Sequence, residues 1–296
     1  MTKKVSVITP VYNDPEGIRD TLNSLPLDSD QADFIVVDNE STDDTAEIIK
    51  EFEYKYESVI HLYEPQEHSQ FAARNTAIKS TDSEILAFVD ADMMLPENWL
   101  SSVIEKFQSI KSNFMANSVE LTLPDNPTFW SRYDYHTGFP VQQYIEQLHF
   151  APTCCLVIGR SVFENVGLFD PRLQSGGDKE FGTRVYQAGY DLHFASDITM
   201  YHPTRDRLSE LVNKASRVGR GHCQLQRCHP DRFGKPGFPP RPSGIKRPDL
   251  DLPVQKRLMF GLLSRFLTGA RGLGYFREFA LGQNKIGNGE IPHLET

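Results

Sequence analysis

The sequence has 296 residues, and its 31 lysines and arginines against 40 aspartates and glutamates give a formal net charge of −9. This length suits one large domain, or one domain with an appendage. The chain has no run of 18 apolar residues and no signal peptide with successive charged, apolar and small-residue parts, so we expect a cytoplasmic protein without a transmembrane helix.

Short apolar segments alternate with helical patterns over the first ninety residues. Turn residues follow each segment, and Ser41 or Thr42 is predicted to cap the second helix. Strands separated by helices at this spacing are typical of a parallel sheet that is covered on both faces. The strands are predicted at residues 5–9, 33–38, 59–64 and 84–90, and the helices at 18–25, after 42, and at 69–80.

The middle of the chain continues this alternation less regularly. Residues 124–150 contain several aromatic side chains and are predicted as a loop-rich stretch. The whole pattern indicates an α/β protein with a mostly parallel, Rossmann-like sheet flanked by helices. Its further elements are helices at 96–107 and 178–189 and extended segments at 114–123, 154–159 and 192–202.

The last part of the chain differs from the rest in charge. Residues 1–204 hold 14 of the 31 basic and 32 of the 40 acidic residues, which leaves 17 and 8 for residues 205–296. This split predicts a basic helical C-terminal extension with its own partner, such as an anionic surface. Its helices are predicted at 208–227 and 256–282, with a proline- and glycine-rich linker at 233–244.

The helix predicted at 256–282 is too short and too charged to span a bilayer. Its apolar residues are interrupted by Arg265 and Arg271, which leaves two alternatives. Either it lies in the surface of an anionic membrane as a basic amphipathic helix, or it packs on the preceding domain.

Two aspartates close the strand predicted at 84–90. Asp90 and Asp92 are two residues apart, and such residues face the same side of an extended chain. At the carboxyl end of a parallel strand they would form part of a ligand set for Mg²⁺ or Mn²⁺, which prefer oxygen ligands. A turn cap at Asp90 beside a solvated Asp92 explains the same pattern without a metal.

Four other side chains are candidates for a site. Asp178 follows two glycines at the start of a predicted helix, which favours an ionised carboxylate that can act as a general base. A helix cap with a solvated Glu180 is the structural alternative. His202 suits a metal site, and its plainer explanation is a loop histidine that binds no ligand. Arg74 suits phosphate recognition, and its plainer explanation is a surface salt bridge.

Six segments, in this order, resemble the family 2 glycosyltransferases of the GT-A fold. They are VSVITPVYND, IVVDNESTDDT, AARNTAI, FVDADM, GGDKEFGTRVYQAGY and MYH, and the resemblance covers roughly residues 3–204. It implies a GT-A catalytic domain over residues 1–204. Within that domain it implies a nucleotide-binding half at 1–95 and an acceptor-binding, catalytic half at 96–204.

The resemblance implies a nucleotide site at the ends of the first strands. Tyr12 would stack on the base or ribose, and Asp38 would accept a hydrogen bond from a base N–H, which suits uracil or guanine. The residues assigned to the nucleotide in this way are Pro10, Tyr12, Asp38, Ser41, Arg74 and Asp90.

The resemblance also implies the catalytic groups. Asp92 would bind Mn²⁺ or Mg²⁺, His202 would complete the metal site, and Asp178 would be the catalytic base. Gly177 stands where the family pattern has a glutamate, so one carboxylate that could orient the acceptor is missing. The candidates for acceptor binding are Gly177, Glu180 and Trp130, the last as a stacking platform in a stretch that a packed helix explains equally well.

The implied reaction is an inverting transfer from a nucleotide-diphosphate sugar, with UDP expected before GDP, to a glycan or lipid-linked acceptor in polysaccharide or glycoconjugate synthesis. The extension would contact the inner face of the cell membrane. One alternative is a sugar-nucleotide pyrophosphorylase, but that class has a basic phosphate-binding loop after its first strand, and TPVYNDPEG contains no lysine or arginine. The other alternative is a non-catalytic nucleotide-sugar-binding protein. No nucleic-acid-binding motif is present, and no such partner is expected.

Overall fold

The computed structural model describes residues 5–240, 253–282 and 290–294. The strands in this part of the chain are β1 (Val5–Val11), β2 (Ala32–Asp38), β3 (Val59–Tyr63), β4 (Ile85–Phe88), β5 (Phe114–Thr122), β6 (Leu156–Gly159) and β7 (His193–Pro203). The helices are α1 (Pro15–Ser24), α2 (Thr45–Lys55), α3 (Gln70–Ser80), α4 (Trp99–Ser109), α5 (Phe129–Thr137), α6 (Val141–Leu148), α7 (Arg160–Val166), α8 (Gly177–Gln187), α9 (Leu208–Cys228), α10 (Pro230–Phe233) and α11 (Val254–Leu281).

The strands form one sheet in the order β3-β2-β1-β4-β6-β5-β7. The pairs β1–β2, β1–β4, β2–β3 and β5–β7 are parallel, and only β6 runs against its two neighbours within the described residues. The prediction of an α/β protein with a mostly parallel sheet is therefore confirmed. The carboxyl ends of β1, β2 and β4 meet at one edge of the sheet, where ligands bind in such folds.

Local sequence explains the first elements. Every residue of β1 is buried, as expected for a strand that is covered on both faces. α1 begins after Asp14, whose side chain accepts a hydrogen bond from the Gly17 N–H. α2 begins later than predicted because Ser41 and Thr42 are engaged elsewhere. The Ser41 hydroxyl accepts from the Asn13 N–H, and the Thr42 N–H donates to the Asn13 side chain, which joins the loops after β1 and β2.

The prediction of a loop-rich stretch at 124–150 is wrong, because α5 and α6 occupy most of it. Thr128 caps α5 by accepting a hydrogen bond from the Ser131 N–H. The aromatic residues of this helix pack against a distant one. Phe129 and Tyr133 both contact Phe260 of α11, with ring centroids 5.4 Å apart. These long-range contacts therefore stabilise α5.

The C-terminal extension packs closely on the rest of the chain. Leu225 of α9 lies in the main hydrophobic core, and Gln224 accepts a hydrogen bond from the Gln174 N–H. The division of the chain at residue 204 stays a prediction. Of the linker predicted at 233–244, residues 241–244 lie outside the described residues.

One face of α11 packs along α9. The contacts advance together from Leu211 and Leu263 to Arg227 and Phe279, so the two helices run in the same direction. Their backbones nearly touch at Gly219, where a β-carbon would collide with the Arg271 carbonyl. The second alternative for this helix, packing on the preceding domain, describes the contacts of its residue Phe260 with Phe129 and Tyr133 of α5.

The opposite face of α11 is apolar and exposed. Leu258, Leu262, Phe266 and Leu273 are each more than half exposed, and Phe276 is close to that. None of the helices in the described ranges has both the length and the apolar character needed to cross a membrane.

Candidate active site

A cavity of about 640 Å³ opens at the carboxyl ends of β1 and β4. Its wall is built from the loop after β1, the start of α3, the loop after β4, and α9. Of the residues predicted for the site, Pro10, Tyr12, Asp90 and Asp92 line it. The structure therefore brings together motifs that lie up to eighty residues apart in the sequence.

Asp38 and Ser41 lie beside this cavity and hold its loops. Asp38 pairs with Val11 in the sheet register, is buried, and accepts a hydrogen bond of 2.9 Å from the Ser41 N–H. The Ser41 hydroxyl accepts from the Asn13 N–H at 2.9 Å. The next residue after Asp38, Asn39, lines the cavity itself.

Tyr12 stands at the mouth of the cavity. It is 53% exposed, and its ring lies nearly perpendicular to the ring of His68 at a centroid distance of 6.0 Å. An aromatic ring with this exposure can stack on a planar ligand.

Arg74 forms a salt bridge with Asp90, but it is buried and is not the surface salt bridge that was the plainer explanation of Arg74. The Arg74 side chain is fully buried and donates to Asp90 Oδ1 at 2.6 Å. Asp90 is partly exposed to the cavity. The arginine thus fixes this carboxylate where the strand β4 ends.

Asp92 and His202 face each other across a gap suited to a cation. His202 Nδ1 lies 2.6 Å from the Pro203 carbonyl, which can only accept a hydrogen bond, so Nδ1 donates to it and Nε2 is the ring nitrogen that faces Asp92. Nε2 lies 3.4 Å from Asp92 Oδ2. Two ligands of one octahedral Mg²⁺ lie about 3 Å apart, so the pair fits a divalent cation.

Two backbone hydrogen bonds hold this pair together. Met94, in the loop after β4, and Tyr201, in β7, exchange two hydrogen bonds of 2.9 Å, which place Asp92 next to His202. No group of three His, Cys, Asp or Glu side chains that could hold a metal exists in the described part of the chain. Further ligands would come from water and from a bound diphosphate, as is usual for Mg²⁺.

Asp178 lies in the first turn of α8, after Gly176 in the left-handed conformation with φ of 84°. Its Oδ1 accepts a hydrogen bond of 2.8 Å from the Lys179 N–H. Burial raises the pKa of Asp178 above its ordinary value, although this hydrogen bond and the charges of Arg74 and Arg217 act in the opposite direction.

Packing explains why Gly177 replaces the glutamate of the family pattern. A β-carbon at this position would lie 2.7 Å from the ring of Phe71, which is itself buried in the core. A glutamate here would displace that ring. The first residue of α8 thus has no room for a carboxylate because Phe71 of α3 fills the space.

The structure gives Glu180 and Trp130 contacts away from the cavity. Glu180 is fully buried and binds Arg184 at 2.8 Å and Arg232 at 2.6 Å. Trp130 packs edge-to-face on Phe129 at 5.1 Å, in the small apolar cluster between α5, α9 and α11. Neither lines the cavity at the ends of β1 and β4.

Arg217 and Arg220 of α9 line the cavity, and sequence analysis missed them. Burial and Arg205 lower the pKa of Arg217, whereas Asp178 and Asp90 act in the opposite direction, so Arg217 lies within reach of both carboxylates. Arg220 Nε is buried and has no hydrogen-bond partner among the described residues. The spacing of three residues between these arginines was the available signal, since it places them on neighbouring sides of one helix.

Comparison with known proteins identifies the family. Residues 6–167 match the model of glycosyl transferase family 2. The chain is 36% identical over 224 residues to the glycosyltransferase AglE of Haloferax volcanii, which covers 75% of this chain and 73% of that protein. The chain belongs to glycosyl transferase family 2. This family 2 glycosyltransferase is also 26% identical to the pre-mycofactocin glycosyltransferase of Mycobacterium tuberculosis, over 78% of its own length and 49% of the other protein.

Two solved structures share the fold of this family 2 glycosyltransferase. The mannosyltransferase PcManGT from Pyrobaculum calidifontis, in complex with GDP-Man and Mn²⁺, has a TM-score of 0.59 at 17% identity, over 96% of this chain and 77% of that chain. S. aureus TarS 1-349, in complex with UDP-GlcNAc, has a TM-score of 0.55 at 18% identity, over 99% of both chains. The predictions of the family and of the GT-A fold are confirmed.

Proposed function

We propose that this enzyme is an inverting glycosyltransferase that moves a sugar from a nucleotide-diphosphate sugar to an acceptor hydroxyl. The observation that carries the proposal is the cavity that gathers Tyr12, Asp90, Asp92 and Arg217 at the strand ends, within the electrostatic reach of Asp178. The nucleotide sugars bound to two proteins of the same fold support this donor class.

The donor would lie along this cavity. Tyr12 would stack on the base beside Pro10, and Asp38, whose carboxylate can accept more than one hydrogen bond, would accept from a base N–H. That acceptor suits uracil or guanine, and we expect UDP before GDP. Arg217 and Arg220 would bind the diphosphate through their planar guanidinium groups.

Asp92 and His202 would hold Mn²⁺ or Mg²⁺, and Asp90, fixed by Arg74, would bind the ribose or a water of the cation. When bound, the cation neutralises the negative charge that grows on the leaving diphosphate. The three aspartates that line the cavity, Asp14, Asp90 and Asp92, would otherwise repel that group.

The transfer itself needs one base. Asp178 would take the proton of the acceptor hydroxyl as its oxygen attacks the anomeric carbon, on the face opposite the diphosphate. The bond from that carbon to the diphosphate oxygen breaks, and the diphosphate leaves with the electron pair, so the configuration inverts. Burial raises the pKa of Asp178, which makes it a stronger base than a solvated aspartate.

Thermal denaturation with UDP, GDP, ADP or CDP, each with and without Mn²⁺, tests the donor class. At a hundredfold excess over its Kd, the true nucleotide adds about 2.7 kcal/mol to the free energy of unfolding and should raise the Tm by roughly 5 °C. We expect such a shift with UDP or GDP, only with Mn²⁺, and a smaller one in Arg220→Gln. Arg132→Gln, on the exposed surface of α5, is the control. The absence of a shift with all four nucleotides contradicts the proposal.

We also propose that the exposed apolar face of α11 contacts an anionic membrane and so brings a glycan or lipid-linked acceptor to the site. The helix carries Lys256, Arg257, Arg265 and Arg277. Its one acidic residue, Glu278, is mostly buried against Arg227 of α9. An apolar face flanked by cations is the pattern of helices that lie in a membrane surface.

Vesicle flotation tests this contact. We expect the protein to float with vesicles that contain phosphatidylglycerol and to bind pure phosphatidylcholine vesicles less, because cations on α11 contribute to the affinity. Leu262→Asp with Phe266→Asp should abolish flotation, since both charges enter the apolar face. Tyr54→Asp, at a fully exposed tyrosine on α2, should float like the unchanged protein. Equal flotation of the double variant would refute the contact.

A further inference from the structure

A second cavity, of about 340 Å³, lies between α5, α9 and α11. Two cationic side chains reach it, Lys214 from α9 and Arg271 from α11, and neither of them lines the cavity at the strand ends. Its remaining wall includes Tyr133, Leu211 and Leu267. The base, the ribose and the diphosphate of the proposed donor are all assigned to the first cavity, so a different ligand would occupy this one.

Arg271 is a half-buried cation without a counter-charge. Among the described residues, its side chain forms no ion pair and no hydrogen bond. Burial lowers the pKa of Arg271. Its backbone is held against Gly219, where the two helices cross. Withdrawing a cation from water without a partner is unfavourable, so this arrangement indicates an anionic ligand.

Lys214 has only a shared partner. Its amine lies 3.8 Å from Asp134, but that buried carboxylate already accepts hydrogen bonds from the backbone and the side chain of Arg205, at 3.0 and 3.1 Å. Burial lowers the pKa of Lys214 to about 8, which leaves it mostly protonated at neutral pH. The cavity therefore carries excess positive charge.

The second cavity lies beside the first along α9. Lys214 lines the second cavity one helical turn before Arg217, which lines the first cavity and lies within electrostatic reach of Asp178. A ligand held by Lys214 and Arg271 would therefore be a neighbour of the proposed donor.

We propose that this second cavity binds the phosphate of a phosphate ester and, if the transfer reaction proposed above holds, that this ester is the acceptor. The guanidinium of Arg271 and the amine of Lys214 hold the phosphate oxygens. The apolar wall contacts the esterified group. A lipid phosphate and a polar phosphate ester share this chemistry, and the experiment distinguishes them.

Calorimetric titration of the full chain with three probes tests the site. The probes are octyl phosphate, glycerol 3-phosphate and octyl glucoside, which has the tail without the charge. We expect at least one phosphate ester to bind, and Arg271→Gln to weaken it about tenfold or more, because a charge-assisted contact is lost. Arg132→Gln, which removes the same charge from the exposed surface of α5, is the matched control and should bind normally.

The outcomes separate the alternatives. Preference for octyl phosphate assigns a lipid phosphate, and equal binding of both esters assigns a polar one. The proposal is overturned if neither ester binds, if octyl glucoside binds as tightly, or if Arg132→Gln loses binding as Arg271→Gln does. Titration of the same variants with UDP or GDP and Mn²⁺ reports on the donor site alone, so failure of the transfer proposal is visible separately.

Discussion

Replacing Asp178 by asparagine is expected to lower the transfer rate by about 10²–10⁴-fold while the protein stays folded. Asparagine has the same shape and can still accept the hydrogen bond from the Lys179 N–H, but it cannot take the proton of the acceptor. The rate is measured as release of the nucleoside diphosphate from the donor in the presence of an acceptor.

The melting temperature distinguishes lost catalysis from lost folding. Burial raises the pKa of Asp178 in the folded protein above its unfolded value, so the ionised carboxylate lowers stability at pH values above the folded pKa. This cost disappears below the unfolded pKa. Asp178→Asn removes the charge, and at neutral pH its Tm should equal or exceed that of the unchanged protein.

The same shift sets the pH dependence of transfer. The rate should fall as the pH drops through the raised pKa of Asp178, so the acidic limb lies above the ordinary range of an aspartate. Asp191→Asn, at an exposed aspartate after α8, should keep both the rate and this limb. Full activity in a folded Asp178→Asn would rule out Asp178 as the base.

Removal of the cation is expected to have an effect of similar size. EDTA should reduce transfer to the background rate, and added Mn²⁺ should restore it. Asp92→Ala should lower the rate by about 10²-fold or more without rescue by Mn²⁺, because charge stabilisation by a bound cation is worth several kcal/mol. The variant should also lose the Mn²⁺-dependent rise in Tm with UDP or GDP.

Asp92 is a clean position for this test because its side chain is 39% exposed and its contact with His202 is at the cavity surface. Substitution of a side chain that is exposed to this extent usually changes stability by about 0.5 kcal/mol or less, so the fold should survive its loss. Asp82→Ala, at an exposed aspartate before β4, is the control. Transfer that withstands both EDTA and Asp92→Ala would remove the metal from the mechanism.

The error at residues 124–150 shows where sequence reasoning fails. Phe129 and Tyr133 of α5 are four residues apart, as on one face of a helix, but the surface that this face contacts lies on α11, more than a hundred residues later. Glu180 shows the same limit. Its place two residues after Asp178 predicts a site residue, but Arg184 and Arg232 bury it in a network of ion pairs.

The sequence by itself determined the strands, most helices and the family, and it placed Asp90 and Asp92 together after β4. These features depend on burial period, turn residues and spacing within a few positions. Only the tertiary structure decided that Arg217 and Arg220 of α9 meet the strand ends, and that Arg271 faces a cavity while Leu262 faces outward. Those outcomes depend on how distant helices dock, and close contacts such as Gly219 against the Arg271 backbone set that docking. No local pattern encodes such a contact, because each partner is an ordinary helix residue until the other packs against it.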